Sequence, residues 1–292
     1  MSETPPPAET LLPILDLEQL ELNLFRGRNG RPDGYKRVFG GQVIAQALVA
    51  ARRTVAADRV THSLHGYFLL GGDPSIPTIY EVERIRDGRS FATRRVVAIQ
   101  HGRAIFTMSV SFQVQEGGVA HQMPMPTVPD PEALPDDRAW RTRLVARFPH
   151  AAKRDWMALR ALEVRPTTVD STYEGNQTQA PPSMWLRART RLPDPLPIHQ
   201  AVLAYASDMS LLQAGLLPHG LSVLEPEIQV ASLDHALWFH QAFRADEWLL
   251  YTQDSPVSGN ARAFCRGHFF DRAGRLVASA MQEGLLRTKL PR

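Results

Sequence analysis

The segment from His199 to Pro218, HQAVLAYASDMSLLQAGLLP, constrains the fold most strongly because Asp208 is its single formal charge. At helical spacing Asp208 shares a face with Leu211 and Leu212, and apolar residues cover much of the remaining circumference. A helix that is apolar nearly all round is normally enclosed by other elements, and this one is too short and interrupted to span a membrane. The sequence therefore predicts a long, buried central helix.

The carboxylate of Asp208 leaves two interpretations open. A carboxylate on a buried helix is costly unless it is hydrogen-bonded, faces a solvent-filled pocket or is protonated. Asp208 could therefore cap a helix break or pair with an arginine. It could equally be a functional acid, because carboxyl groups with perturbed pKa values cluster at sites.

Composition sets broad limits on the chain. Its 292 residues, 43% of them hydrophobic, suit one large or two modest domains. Cys265 is the single cysteine, which excludes an intramolecular disulfide and favours a reducing compartment. No nucleophile motif surrounds Cys265, so we interpret it as a packing residue.

Charge and targeting patterns narrow the partners and the location. The net charge is +3 and the basic residues are almost all arginine, which admits nucleotides, coenzyme A or nucleic acid as partners. No basic block or aromatic groove singles out nucleic acid. The Pro-rich start lacks a signal-peptide pattern and the last residues are not a peroxisomal signal. We expect a cytoplasmic protein with no nucleic-acid or membrane partner.

The two halves of the chain repeat each other. His65 matches His235 with a shift of 170, while Gly88 matches Gly259 and Gly102 matches Gly274 with shifts of 171 and 172. A nearly constant offset across separate strands indicates duplication of a whole unit. Strand patterns occupy residues 61–70, 78–86, 90–101 and 104–114, then 163–169, 184–190, 228–239, 247–253, 261–270 and 276–286.

Helical patterns complete the two units. A mostly apolar helix follows Gly40 and Gly41, whose backbone N–H groups suit an anion or an oxyanion but also fit a simple turn. Residues 17–24 could form a short helix, and a charged helical piece runs from 136 to 162. The predicted class is α+β, with two tandem units that each wrap an antiparallel β-sheet around a long central helix. The predicted boundaries are 1–14 for a disordered lead, 15–115 for the first unit, 116–160 for a Pro-rich connector and 161–292 for the second unit.

Two polar residues lie on otherwise apolar strand faces of the second unit. By the period-two rule Gln282 shares a face with Ala278 and Ala280, and Ser232 shares one with Val230. If both faces meet the central helix, a carboxylate, a hydroxyl and an amide converge there. A mutually satisfied polar cluster in the core is the alternative.

Several long motifs carry a resemblance to a known family. They are FGGQVIAQAL, HSLHGYFLLGGDP, RDGRSFATRRVVAIQHG, HQAVLAYASDMSLL, LDHALWFH and LVASAMQEGLLR, which appear in order within residues 15–288. Together they closely resemble the acyl-CoA thioesterase II family, the TesB-type double-hotdog enzymes. The resemblance implies hydrolysis of medium- to long-chain acyl-CoA without a metal or organic cofactor. It also implies a homodimer or homotetramer.

The same resemblance assigns catalytic roles to Asp208 in ASDMSLL, Ser232 in ASLDH and Gln282 in MQEG, which would hold the attacking water. Many bacterial members have Thr where this chain has Ser232, a substitution also found in the family. Backbone N–H groups near a helix start are the expected oxyanion donors. A hotdog hydratase or dehydratase and an acyl-CoA-binding regulator are the alternative functions.

The first unit lacks this set of residues, so we expect one active site per chain. The predicted equivalents are Val49 or Ala50 for Asp208, His62 for Ser232, and Val110 for Gln282. His62 could line an acyl or coenzyme A channel or could be a hydrogen-bonded structural residue.

Overall fold

The computed structural model describes residues 11–29, 37–149, 161–167 and 182–288. Within these residues one antiparallel sheet of thirteen strands runs through both halves of the chain. The strands are β1 Glu18–Glu21, β2 Leu24–Gly27, β3 Arg59–Phe68, β4 Thr78–Asp87, β5 Phe91–Gln100, β6 Arg103–Val114, β7 Leu162–Pro166, β8 Ser183–Ala188, β9 Ile228–Ser232, β10 Asp234–Phe239, β11 Leu249–Gly259, β12 Arg262–Asp271 and β13 Leu276–Thr288.

Two buried helices lie against this sheet. The α-helices are α1 Leu12–Leu15, α2 Gly40–Arg52, α3 Asp137–Arg147 and α4 Leu196–Ser207. Nearly every residue of α2 and α4 is buried, as their apolar patterns predict. The helices run antiparallel, with the start of α2 against the end of α4, where Gly41 lies close to the carbonyl oxygen of Tyr205.

The central helix is shorter than the predicted span to Pro218. It ends at Ser207 because Met209 N–H turns back to the carbonyl of Ala206 and Ser210 adopts a left-handed φ of 64°. A 3₁₀ segment, Leu211–Gly215, then continues the chain across the sheet. Asp208 is therefore the C-cap of α4, so its side chain is at a helix end and not in mid-helix.

The sheet order joins the two halves through β3 and β10. The order is β1-β2-β4-β5-β6-β3-β10-β13-β12-β11-β8-β7, and β9 pairs with β13. In the joint between the halves Leu64 pairs with Leu237 and His65 with Ala236. The predicted duplication is thus visible as two antiparallel meanders that share one sheet.

The hydrogen-bond register corrects the offset of the repeat by one residue. The turns at Gly102 and Gly274 both have positive φ, so β6 and β13 correspond with a shift of 172. Thr61 pairs with Phe112 and Ser232 pairs with Gly284, so Ser232 corresponds to Thr61 and not to His62. His65 pairs with Ser109 and Ala236 with Met281, so the same shift of 171 holds beyond the bulge at Thr61–Ser63, and the predicted shift of 170 was one residue too small.

Other predicted elements differ in type. The predicted helix over 17–24 is wrong, because β1 and β2 form a short hairpin there. The helical turn α1 begins inside the segment assigned to the lead, of which residues 1–10 lie outside the described part. Within the connector, α3 ends at Arg147 and residues 150–160 lie outside the described part. None of the described helices is long and apolar enough to cross a membrane.

Candidate active site

Asp208 lies where the end of α4 meets strands β9 and β13. Ser232 Oγ donates a hydrogen bond to Asp208 Oδ1 at 3.2 Å, and Gln282 Nε2 donates to the same oxygen at 3.0 Å. Gln282 Nε2 also donates to Ser232 Oγ at 2.5 Å. The structure therefore brings together all three residues that the sequence singled out.

Gly40 and Gly41, at the start of α2, complete the surroundings of the carboxylate. The backbone N–H of Gly41 is hydrogen-bonded to Asp208. A Cβ on Gly40 would lie 2.6 Å from Asp208 Oδ2, and one on Gly41 would collide with the carbonyl oxygen of Tyr205. The two glycines therefore allow the positive end of the α2 dipole to approach a negative group. This group comes from the other half of the chain.

Burial makes Asp208 a weaker acid than an ordinary aspartate. Loss of hydration raises its pKa from 3.8 to about 6, and the hydrogen bonds from Gln282, Ser232 and Gly41 limit the rise. A carboxyl group with a pKa slightly below neutral is ionised at pH 7 and can still accept a proton readily. This is the electrostatic arrangement expected of a general base.

His235 is a member of the site that the sequence analysis used only as a marker of the repeat. Its Nδ1 is 3.0 Å from Gln282 Oε1, and its Nε2 is 2.8 Å from Ser207 Oγ. Because Gln282 Nε2 is the donor to Asp208, Gln282 Oε1 must accept, which places the imidazole proton on Nδ1. Burial lowers the pKa of His235 to about 4, so the ring is neutral. His235 therefore fixes the orientation of the Gln282 amide.

A sequence clue to His235 existed in its strand position. His235 directly precedes Ala236 and Leu237, which pair with Met281 and Ala280 of β13. Continuing that register places His235 beside Gln282. The clue was missed because the repeat was aligned with a shift of 170, which matched His235 with His65. His65 is exposed, whereas His235 is 1% exposed.

The equivalent position in the first half lacks the carboxylate, the amide and the backbone N–H donor. Counted from the helix N-caps, Phe39 and Pro195, the position of Asp208 falls on Arg52 and not on Val49 or Ala50. The same count places Pro197 at the position of Gly41, which removes the backbone N–H donor. Val110 stands in place of Gln282, as predicted, and Arg94 in place of Cys265. Only the hydroxyl persists, as Thr61.

The structure shows the surroundings of His62 and Cys265. His62 Nε2 is 2.7 Å from Ser111 Oγ, so His62 is hydrogen-bonded within the sheet. Cys265 is fully buried, and burial raises the pKa of its thiol to about 11, which keeps it protonated. Among the described residues no group of three or more His, Cys, Asp or Glu side chains is placed to hold a metal ion.

Comparisons with known proteins place these features in a family. The sequence model of the acyl-CoA thioesterase family matches residues 152–285, and that of the acyl-CoA thioesterase N-terminal domain matches residues 30–113. The acyl-CoA thioesterase 2 of Haemophilus influenzae is 37% identical over 277 residues, covering 95% of this chain and 96% of that protein.

Solved structures agree in fold. The acyl-CoA thioesterase II TesB2 of Mycobacterium marinum matches with a TM-score of 0.79 and 43% identity, over 96% of this chain and 98% of that one. A hot dog fold protein of unknown function from Alicyclobacillus acidocaldarius matches with a TM-score of 0.74 over 95% of this chain and 97% of that one. At 19% identity this second likeness bears on the fold alone. The predicted α+β double hotdog is confirmed.

Proposed function

Because the chain belongs to the acyl-CoA thioesterase family and is a thioester hydrolase acting on acyl-CoA, we propose that Asp208, Ser232 and Gln282 together activate the hydrolytic water. The proposed substrates are medium- to long-chain acyl-CoA thioesters, and the products are a free fatty acid and coenzyme A. The convergence of Ser232 and Gln282 on one carboxylate oxygen of Asp208 carries the proposal.

The proposed reaction begins with a water molecule held beside Asp208. Its oxygen attacks the thioester carbonyl carbon while Asp208 takes one of its protons, and Gln282 and Ser232 fix its orientation. The resulting oxyanion develops near the start of α2, where the positive end of the helix dipole lowers its energy. The carbon–sulfur bond then breaks, and the coenzyme A sulfur leaves with the proton held by Asp208.

The hydrogen bonds favour water over a serine nucleophile. Ser232 contacts Asp208 and Gln282, and among the described residues no histidine ring is hydrogen-bonded to it. The serine and histidine pair beside Asp208 is Ser207 with His235, but Ser207 is fully buried. The second nitrogen of His235 faces an amide oxygen, so the ring has no acid to stabilise its protonated form. The same neutral, fully bonded ring argues against a histidine-based hydratase or dehydratase.

The test is thiol release from an acyl-CoA panel that runs from short to long chains. We expect wild-type protein to release coenzyme A from medium and long chains and Asp208→Asn to lose at least about 100-fold in kcat. Asp254→Asn is the matched control, since Asp254 is a half-exposed carboxylate of the same half that pairs with Arg266. Equal turnover by Asp208→Asn and wild type would remove the proposed role of Asp208.

The assembly and location belong to the proposal as well. We expect a homodimer or homotetramer, a cytoplasmic location, and no nucleic-acid or membrane partner. Light scattering after size-exclusion chromatography measures the subunit number. A monomer at micromolar concentration would contradict the expected assembly and would leave the catalytic proposal intact.

A further inference from the structure

A cavity of about 660 Å³ lies between α1, the end of α2 and the start of α4. This volume is in the range of sites that enclose small-molecule ligands. Its apolar lining comes from Leu12, Leu15, Leu48, Val49, Ile198 and Ala201, and its polar groups include Arg52, Arg53, Asp16 and Thr61. The cavity is at the opposite end of the helix pair from Asp208.

The cavity occupies the position in the first half that corresponds to the active site of the second. Arg52 takes the place of Asp208, Thr61 that of Ser232, and Pro197 that of Gly41, and all three line the cavity. Hydrolysis there is excluded because the carboxylate, the amide and the N–H donor are all replaced. A cavity is nevertheless present beside these residues, and its charged group is the guanidinium of Arg52 where the second half has the carboxylate of Asp208.

Arg52 is the arginine of the cavity lining that has no carboxylate partner within 4.0 Å among the described residues. Its two terminal nitrogens donate to the carbonyls of the loop at residues 55–57, while its buried Nε has no hydrogen-bond partner among the described residues. Burial lowers the pKa of Arg52, and the opposing influence comes from Asp58, which itself pairs with Arg59. By contrast Arg53 pairs with Asp16. A ligand with an anionic group would therefore stabilise Arg52.

We propose that this cavity is a non-catalytic site for a free fatty acid, with the alkyl chain against the apolar lining and the carboxylate at Arg52. An apolar cavity beside one incompletely neutralised guanidinium matches a single-chain carboxylate. The choice of a fatty acid among anionic amphiphiles rests on the proposed function, because it is the product of that reaction. The site would let product accumulate on the enzyme without blocking the catalytic carboxylate.

The test is equilibrium dialysis of the full-length protein against radiolabelled dodecanoate, which needs no turnover. We expect Arg52→Met, which keeps the cavity, to weaken binding at least about tenfold, a loss of about 1.4 kcal/mol. Ala201→Phe, which fills the cavity, should remove the same binding. Arg95→Met is the control, since it removes an exposed arginine that pairs with Glu83 elsewhere on the sheet. Circular dichroism checks that each variant is folded.

Three outcomes would overturn the proposal. The first is dodecanoate binding by Arg52→Met equal to that of wild type, and the second is an equal dependence on Arg52 for uncharged dodecanol. The third is displacement of dodecanoate from the Arg52-dependent site by dodecanoyl-CoA at a lower concentration than unlabelled dodecanoate requires. This competition is measured in Asp208→Asn protein, and such a result would make the cavity a thioester site. Because binding is measured without hydrolysis, dodecanoate binding by a protein with no thioesterase activity would refute the proposed function alone.

Discussion

The raised pKa of Asp208 predicts that its carboxylate destabilises the folded protein at neutral pH. Its ordinary pKa of 3.8 becomes about 6 in the folded state. Each pKa unit corresponds to 1.36 kcal/mol, so the ionised group costs the folded state about 3 kcal/mol above pH 6.

The sign of the pH dependence follows from proton binding. Between pH 3.8 and about 6 the folded state holds the Asp208 proton more tightly than the unfolded state does. The free energy of unfolding therefore falls as pH rises through this window. About half of the loss has already occurred at about pH 5, so about 1.4 kcal/mol is lost between about pH 5 and about pH 8.

Asp208→Asn keeps an oxygen that can accept from Ser232 and Gln282 but cannot ionise. We expect the free energy of unfolding of Asp208→Asn minus that of wild type to increase by about 1.4 kcal/mol from about pH 5 to about pH 8. Urea unfolding at several pH values measures this difference, and any pH-independent effect of the amide cancels. Asp254→Asn controls for the loss of a carboxylate. Parallel curves for wild type and Asp208→Asn would refute the reasoning.

The same carboxylate should control activity, with kcat/KM rising through an apparent pKa of about 6. Ser232→Thr should keep kcat within a few-fold, while Ser232→Ala should lower it about 100-fold, measured by thiol release. His235→Leu should lower kcat with little change in KM, because an unsatisfied amide oxygen on Gln282 costs about 1–3 kcal/mol. His235→Asn should restore part of the loss, because its side-chain amide N–H can replace the imidazole Nδ1–H as a donor. Gly41→Ala should lower the free energy of unfolding by about 1–3 kcal/mol through its clash with a carbonyl of α4, in contrast to Gly117→Ala. A chelator should leave the rate unchanged.

Specific results would contradict the predictions for Ser232, His235 and the chelator. A wild-type rate in Ser232→Ala would remove the hydroxyl from the mechanism, and an equal loss in the Leu and Asn variants of His235 would show that bulk matters more than the donor. A chelator-sensitive rate restored by one metal ion would reopen the question of metal chemistry.

Much of the fold was predictable because both units repeat strong local patterns. Alternation along β3 to β6 and β10 to β13 located most of these strands to within two residues, but β11 extends six residues beyond its predicted end at 253, and the predicted run 228–239 is divided into β9 and β10. Asp208, Ser232 and Gln282 were identifiable because each is polar among apolar neighbours. The unit boundaries at 15–115 and 161–292 stay predictions.

Features that depend on contacts between distant segments were not predictable. The end of α4 at Ser207 depends on a turn at Ser210, where apolar residues continue on both sides and leave the helical pattern intact. The bulge beside His62 changes register by one residue, which no alternation pattern reveals when both neighbours are compatible with a strand. The role of Gly41 at Asp208 required knowledge of how the two helices meet.

The antiparallel contact between the two helices determines how the two halves can diverge. Each helix start faces the end of its counterpart, so the proposed site takes Gly41 from the half that lacks equivalents of Asp208 and Gln282. We therefore expect that neither repeat expressed separately would contain a complete site. A single polypeptide therefore carries two unlike helix junctions, an acidic one at Asp208 and a basic one at Arg52, which two identical separate chains could not provide.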